Sequence, residues 1–346
     1  MDVSLDIKRK IFVWQKKLHS LAEVGWQEKK TVAYIEKEIG PPLWKRKTGL
    51  VYAVGRGRVV FFRAELDGLP TEEGIKHVCG HHVHMAALMG AYLYFQKHPV
   101  EGVRILFLFQ PSEESYPSGA VFLEDGFLKK LSVEFGFGFH VFPDSQMGAL
   151  FNPIFANADY FRIRLFGQGT HIKNKNSAVC DVVSEAGLLA AKINRKKLRL
   201  GIINVGVLKA GEVANRIGAE AFLEGDIRSL NGKAAKQLRN YLEKLIEDIR
   251  ARGIGVEIYF NEGYPLLKNE KRLVRQLSQI LPITSDISSF AAEDFSLYRA
   301  KTLFLLVGTG NLSELHETQF EVDQRVGGLI FEYWCQIAGF LPELFT

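Results

Sequence analysis

Uninterrupted apolar runs alternate with amphipathic stretches over the first part of the chain. Residues 5–20 and 28–39 carry apolar side chains at helical spacing, and the second stretch ends near Gly40-Pro41-Pro42. Arg58–Glu65 reads as a strand, Met85–Gln96 as a helix and Val103–Phe109 as a nearly continuous apolar strand. Phe122–Leu131 reads as a short helix, followed by a strand over Glu134–Val141. Apolar strands separated by helices predict a sheet buried on both faces. The pattern changes near Asn157, and Tyr160–Phe166 alternates strictly, as a strand with one solvated face does. A helix over about 179–194, strands over 202–209 and 219–229, a long helix over 232–252 and a strand over 254–260 follow. This β-α-β-β-α-β order predicts a small open-faced α+β sandwich over 159–263, inserted into a domain built from 1–158 and 264–346. After Gly263-Tyr264-Pro265 the first pattern resumes, with a helix at 269–279, a strand at Thr302–Val307 and a closing helix near 324–340. The expected class is α/β, a mixed and mostly parallel sheet flanked by helices.

A chain of 346 residues is long enough for two domains, and 47% hydrophobic with 24% charged residues is an ordinary globular balance. No apolar run reaches the roughly 18 residues of a membrane-spanning helix. Met1 to Leu18 lacks the apolar core of a signal peptide, so a cytoplasmic protein with no membrane partner is expected. Three scattered cysteines fit a reducing compartment better than a disulfide framework. The net charge of +5 arises from 44 basic and 39 acidic residues spread along the chain. Its densest basic cluster, Lys192–Arg199, has no interleaved aromatics, so no nucleic-acid partner is expected.

Four of the nine histidines fall in the segment His77-Val78-Cys79-Gly80-His81-His82-Val83-His84, just before a predicted helix. A thiolate and an imidazole two residues apart can turn toward one cation, although a capping loop with incidental histidines would look similar. The second feature is Gln110-Pro111-Ser112-Glu113-Glu114-Ser115, directly after an apolar strand. Carboxylates at the C-terminal end of a buried strand lie where open α/β sheets form ligand sites. Neighbouring side chains in extended chain point apart, so one glutamate can bind a metal while the other faces water. An exposed acidic loop is the bland alternative. His140 ends another apolar strand, and His316 follows the strand Thr302–Val307 and its glycine-rich turn. Each histidine alone reads as an ordinary core or loop residue; their joint placement after sheet strands favours a shared site.

Taken in order, these segments resemble the amidohydrolase branch of the two-metal aminoacylase and carboxypeptidase superfamily. That branch includes hippurate hydrolases, auxin-conjugate hydrolases and N-acetyldiaminopimelate deacetylases. The matching stretches are Leu18-His19 with Glu23 and Glu28, Arg63–Pro70, His77–His81, Phe109–Glu114, the His140 segment, Gly167–His171, Gly211–Ile217, Glu293-Asp294-Phe295 and Leu315-His316. The resemblance implies a metal-dependent exopeptidase-like catalytic domain with an inserted lid and dimerisation domain. It implies Cys79, His81, Glu114, His140 and His316 as ligands of two divalent metals, Glu113 as general base and Asp67 as a carboxylate orienting a ligand. By the same resemblance His171 would hold the scissile carbonyl oxygen, and Asn215 and Arg228 the substrate carboxylate. A thiolate with imidazoles favours zinc, cobalt or nickel over magnesium or calcium, with zinc the default, and the resemblance adds manganese as an alternative.

The chain departs from that pattern at several points. His82 stands where the family has aspartate, Glu65 where it has a shorter acid, and Ile172–Asn176 where a Pro-His pair is common. The loop between Pro70 and His77 is also short. The expected reaction is hydrolysis of an N-acyl amino acid to a carboxylate and a free amino acid, by a homodimer joined through the inserted domain. A dipeptidase or carboxypeptidase on the same scaffold, or a catalytically silent metal-binding protein, are the competing readings.

Overall fold

A computed structural model describes residues 3–174, 181–310 and 314–346. Lys175, Asn176, Cys180 and the expected helix start at 179 lie outside the described residues. The chain divides into two compact units: residues 1–153, 268–287 and 294–346 form the first, and 154–267 with 288–293 the second.

The first unit is built on a mixed sheet. Its strands run in the order Trp44–Arg46, Gly49–Gly55, Val103–Gln110, Arg58–Glu65, Val133–Phe142, Lys301–Gly308 and Leu150–Phe155. The central strands, from Val103–Gln110 to Lys301–Gly308, pair in parallel. Gly49–Gly55 and Leu150–Phe155 flank them antiparallel. Both faces are covered, which is why these strands read as continuous apolar runs rather than as alternation. Adjacent side chains show it: Phe62 stacks on Trp334 of the helix Arg325–Leu344 with centroids 4.4 Å apart, while Phe61 meets Phe295 and Tyr298. Fully burying one such ring contributes about 1.5–3 kcal/mol. On the strand Val133–Phe142 glycines face these aromatics; a Cβ on Gly136 would lie 2.2 Å from the Phe61 ring. Helices Val3–His19, His81–Lys97 and Arg325–Leu344 pack together over the Phe62 side.

The second unit is an antiparallel sheet in the order Gly201–Ala210, Glu220–Ser229, Asn157–Phe166 and Gly255–Glu262. Helices Val182–Asn194 and Gly232–Arg250 cover one face, burying Ile163, Leu165, Leu223, Leu238 and Leu242. Alternation in Asn157–Phe166 follows directly, since every second side chain is buried. Asp181 and Asn231 cap the two helices by accepting backbone N–H groups of their first turns. Among the described residues no helix is long and apolar enough to cross a membrane.

The helix expected at Met85–Gln96 spans His81–Lys97. Gly80 adopts a left-handed conformation at φ +81°, and a Cβ there would sit 2.5 Å from Val141, so the chain turns into the helix at this glycine. Three of the clustered histidines therefore belong to the first helical turn, and burial makes them behave as core positions.

Candidate active site

The site lies in the first unit, where parallel strands end. Cys79 and His81 flank Gly80 at the helix start, Glu113 and Glu114 follow the strand Val103–Gln110, and His140 lies near the end of Val133–Phe142. His316 arrives from the segment after Lys301–Gly308. Its φ of +70° is unusual for a residue with a Cβ, and its backbone N–H donates to the Val78 carbonyl at 2.9 Å.

Cys79 Sγ lies 3.4 Å from His140 Nε2 and 3.3 Å from His316 Nε2. Donor atoms of Cys79, His81 and His140 lie within 4.8 Å of one another, as do those of Cys79, Glu114 and His316. The two triads share the thiol. A third set, of the same span, joins His81 to Glu113 and Glu114. The structure thus brings together all five expected ligands and the expected base.

The rings are held in the tautomer a metal needs. A carbonyl can only accept, so His81 Nδ1 donates to the Asp67 carbonyl at 2.8 Å and His140 Nδ1 to that of Val141 at 2.8 Å. With Nδ1 committed in this way, the nitrogen left to face a metal once its proton is lost is Nε2, the arrangement that outer contacts impose on metal-ligating histidines. Asp67 acts twice, because its carboxylate also accepts the Glu114 backbone N–H at 3.0 Å. Glu28 fixes the same turn from behind, accepting from Ser112 N–H at 2.9 Å and from the Thr48 hydroxyl at 2.7 Å.

Three donor atoms here, His81 Nε2, Asp67 Oδ1 and Glu114 Oε1, are buried with no hydrogen-bond partner among the described residues. Leaving such groups unsatisfied costs about 1–3 kcal/mol each, more when charged. The electrostatics point the same way. Burial pulls His81 down, but Asp67, Glu65 and Glu114 outweigh it and hold the ring at about 9. Burial together with Glu114 and Glu113 pushes the Cys79 thiol well above its usual range. Burial would raise Glu114, yet the facing His316 imidazole, 3.6 Å away, with His81 and Cys79 brings it to about 2. A bound cation reverses the field at the thiol and converts it to the thiolate. Thiol, imidazoles and carboxylates around partnerless buried donors are a set that divalent metal ions fit.

Behind the site runs a buried ionic chain that sequence reasoning did not single out. Arg63 pairs with Glu65 and with Asp294 Oδ1 (2.6 Å), and its Nε donates to Gln110 at 2.9 Å. Asp294 also accepts from Gln110 and Ser118, and Glu65 accepts from His84 Nδ1 at 2.8 Å. His84 Nε2 in turn accepts the Val141 backbone N–H, beside His140. Burial disfavours the Glu65 carboxylate, but Arg63 and His84 hold it ionised, well below the usual range. The available signal was a charged residue inside an otherwise apolar run at Arg63 and Glu65. Arg63→Met should leave two buried carboxylates uncompensated and destabilise the fold by about 3–5 kcal/mol in urea unfolding. A loss under about 1 kcal/mol would show that the chain of charges is dispensable.

The remaining expected residues belong to the second unit. His171 ends a short strand paired with Arg216–Ile217, and its Nδ1 accepts from the Lys173 backbone. Asn215 precedes that pairing strand, and its carbonyl accepts from Ile172 N–H. Arg228 lies on the strand Glu220–Ser229, paired bidentately with Asp226 at 2.8 and 2.9 Å.

The chain matches the model of Peptidase family M20/M25/M40 over residues 61–331. It is 28% identical over 320 residues to the N-acetyldiaminopimelate deacetylase of Priestia megaterium, covering 81% of this chain and 84% of that protein. With the deacetylase of the same name from Pediococcus pentosaceus it shares 30% over 300 residues, 78% of this chain and 77% of the relative. A dinuclear metal-binding M20 peptidase structure from Bacillus subtilis superimposes with TM-score 0.85 at 23% identity, over 98% of this chain and 99% of that one.

Proposed function

The chain belongs to peptidase family M20/M25/M40, and from that premise we propose that it is a metal-dependent amidohydrolase cleaving N-acyl amino acids. The observation that carries this reading is the pair of triads sharing Cys79, with Glu113 beside His81. In this reading Cys79, His81, Glu114, His140 and His316 hold two divalent ions, with zinc the first candidate and manganese, cobalt and nickel the alternatives. When bound, such ions polarise the scissile carbonyl and acidify a water. Glu113 accepts the water's proton and returns it to the departing amine. Asp67 keeps His81 and Glu114 in register through its carbonyl and carboxylate.

We further assign the scissile carbonyl oxygen to His171 and the substrate carboxylate to Asn215 and Arg228. A guanidinium grips both oxygens of a carboxylate, and Arg228 already makes such a fork with Asp226. The exposed edge strand Gly201–Ala210, with Ile202, Val207 and Leu208 outward, supports a homodimer formed through the second unit. A cytoplasmic location accords with the unpaired Cys79 and Cys335.

A substrate panel tests the reading. Protein loaded with zinc, manganese or cobalt should release amine from N-acetyl or N-benzoyl amino acids and leave free dipeptides intact. Preference for free dipeptides would make it a peptidase. Silence with metal bound would turn attention to His82 and the segment after His171.

A further inference from the structure

Glu113 and Glu114 sit on a loop that leaves the strand Val103–Gln110 and ends at Ser118, where the helix Gly119–Gly126 begins. The loop is tightly wound. Ser112, the residue before Glu113, has φ +50°, a left-handed conformation that a residue with a Cβ keeps only where its surroundings impose it. Its backbone N–H donates to Glu28 at 2.9 Å, and its carbonyl accepts from Gly119 N–H at 3.1 Å. These contacts hold the middle of the loop.

The two ends of the loop meet on one oxygen atom. Asp294 is fully buried, and its Oδ2 accepts from Gln110 Nε2 at 2.7 Å and from Ser118 Oγ at 2.6 Å. The Gln110 amide can face only this way, because its oxygen already accepts from Arg63 Nε at 2.9 Å and from the Tyr298 hydroxyl at 2.8 Å. Asp294 Oδ1 accepts from Arg63 at 2.6 Å, which anchors the carboxylate to the strand Arg58–Glu65. Neutralising Arg63 requires contact with neither end of the loop, so the ion pair alone does not account for this arrangement. An oxygen of Asp294 also lies within 4.8 Å of one of Glu113. A misplacement of about 1 Å at a reacting group can lower a rate ~10²-fold, so the shape of this loop bears on the chemistry.

We propose, on the reading of Glu113 as base and Glu114 as metal ligand, that Asp294 is a positioning residue of the active site. It closes the loop by joining Gln110 to Ser118, and so fixes where both glutamates stand.

The test compares wild type with Ser118→Ala and Ser118→Thr in the full chain. Alanine removes one arm of the clamp and leaves the Arg63–Asp294 pair in place. Threonine keeps the hydroxyl, and with it the bond that Ser118 Oγ accepts from Ala120 N–H at the start of the helix. At saturating zinc, Ser118→Ala is expected to lower kcat on an N-acetyl amino acid ~10–100-fold with little change in KM. Its zinc affinity, read by chelator competition, should fall by at least ~10-fold. Ser118→Thr should restore both. Each protein is measured below the onset of its own thermal unfolding, so that a loss of stability alone moves neither value. If Ser118→Ala fails to fold, Ser118→Cys takes its place, with similar shape and only a weak donor. Wild-type kcat and zinc affinity in the variant would overturn the proposal, as would losses that threonine does not restore. A wild-type protein that binds zinc but cleaves no N-acyl amino acid would refute the amidohydrolase reading instead. Zinc affinity would then decide the clamp by itself, weakened binding in Ser118→Ala supporting it and unchanged binding overturning it.

Discussion

Glu113→Gln should lower kcat by ~10²–10⁴-fold, the usual contribution of a positioned general base. Glutamine keeps the size of the side chain and removes the proton acceptor. Glu113 Oε2 lies 3.9 Å from His81 Nε2, inside the donor cluster but outside the two triads that share Cys79. The metal content of the variant should therefore match wild type, as read by elemental analysis after dialysis. Its KM should change little, since the interaction lost belongs to the transition state. A variant with wild-type turnover would remove Glu113 from the role of base and leave the rest of the metal assignment standing.

Cys79→Ala should weaken metal binding by at least ~100-fold, because loss of an outer contact alone costs ~10–100-fold and this removes a donor outright. The sulfur belongs to both triads, so its loss thins both proposed metal positions at once. Competition against a chelator of known affinity measures the effect. The fold should survive, because Cys79 is a small side chain at a loop end and the aromatic core around Phe62 and Trp334 is untouched. Wild-type metal affinity in this variant would contradict a thiolate-centred site.

The apolar strands at the centre of the first unit were legible because burial on both faces removes alternation, and Arg58–Glu65 begins and ends where expected. The alternating strand Asn157–Phe166 was legible for the opposite reason. What was passed over were elements whose place in the sheet the pattern alone does not fix. Gly49–Gly55 and Leu150–Phe155 are strands whose place is set by pairing partners distant in sequence. The start of the helix at His81 was masked by polar residues that tertiary burial turns into core. The residue types that gather at the site and their order along the chain were readable, as was the presence of Asp67 beside them. Its manner of action was not, since a backbone carbonyl holds His81 while the carboxylate grips Glu114. The chain from Asp294 through Arg63 and Glu65 to His84 spans 231 positions between its first two members, and only the folded sheet brings them together.

The reading of this protein as a metal-dependent amidohydrolase is tested most directly by following amine release from an N-acetyl amino acid before chelation, after chelation and after metal is restored. The account predicts release by the loaded protein, loss on stripping and recovery on reloading, with free dipeptides untouched throughout. Release that survives complete removal of metal, or cleavage confined to free dipeptides, would contradict it.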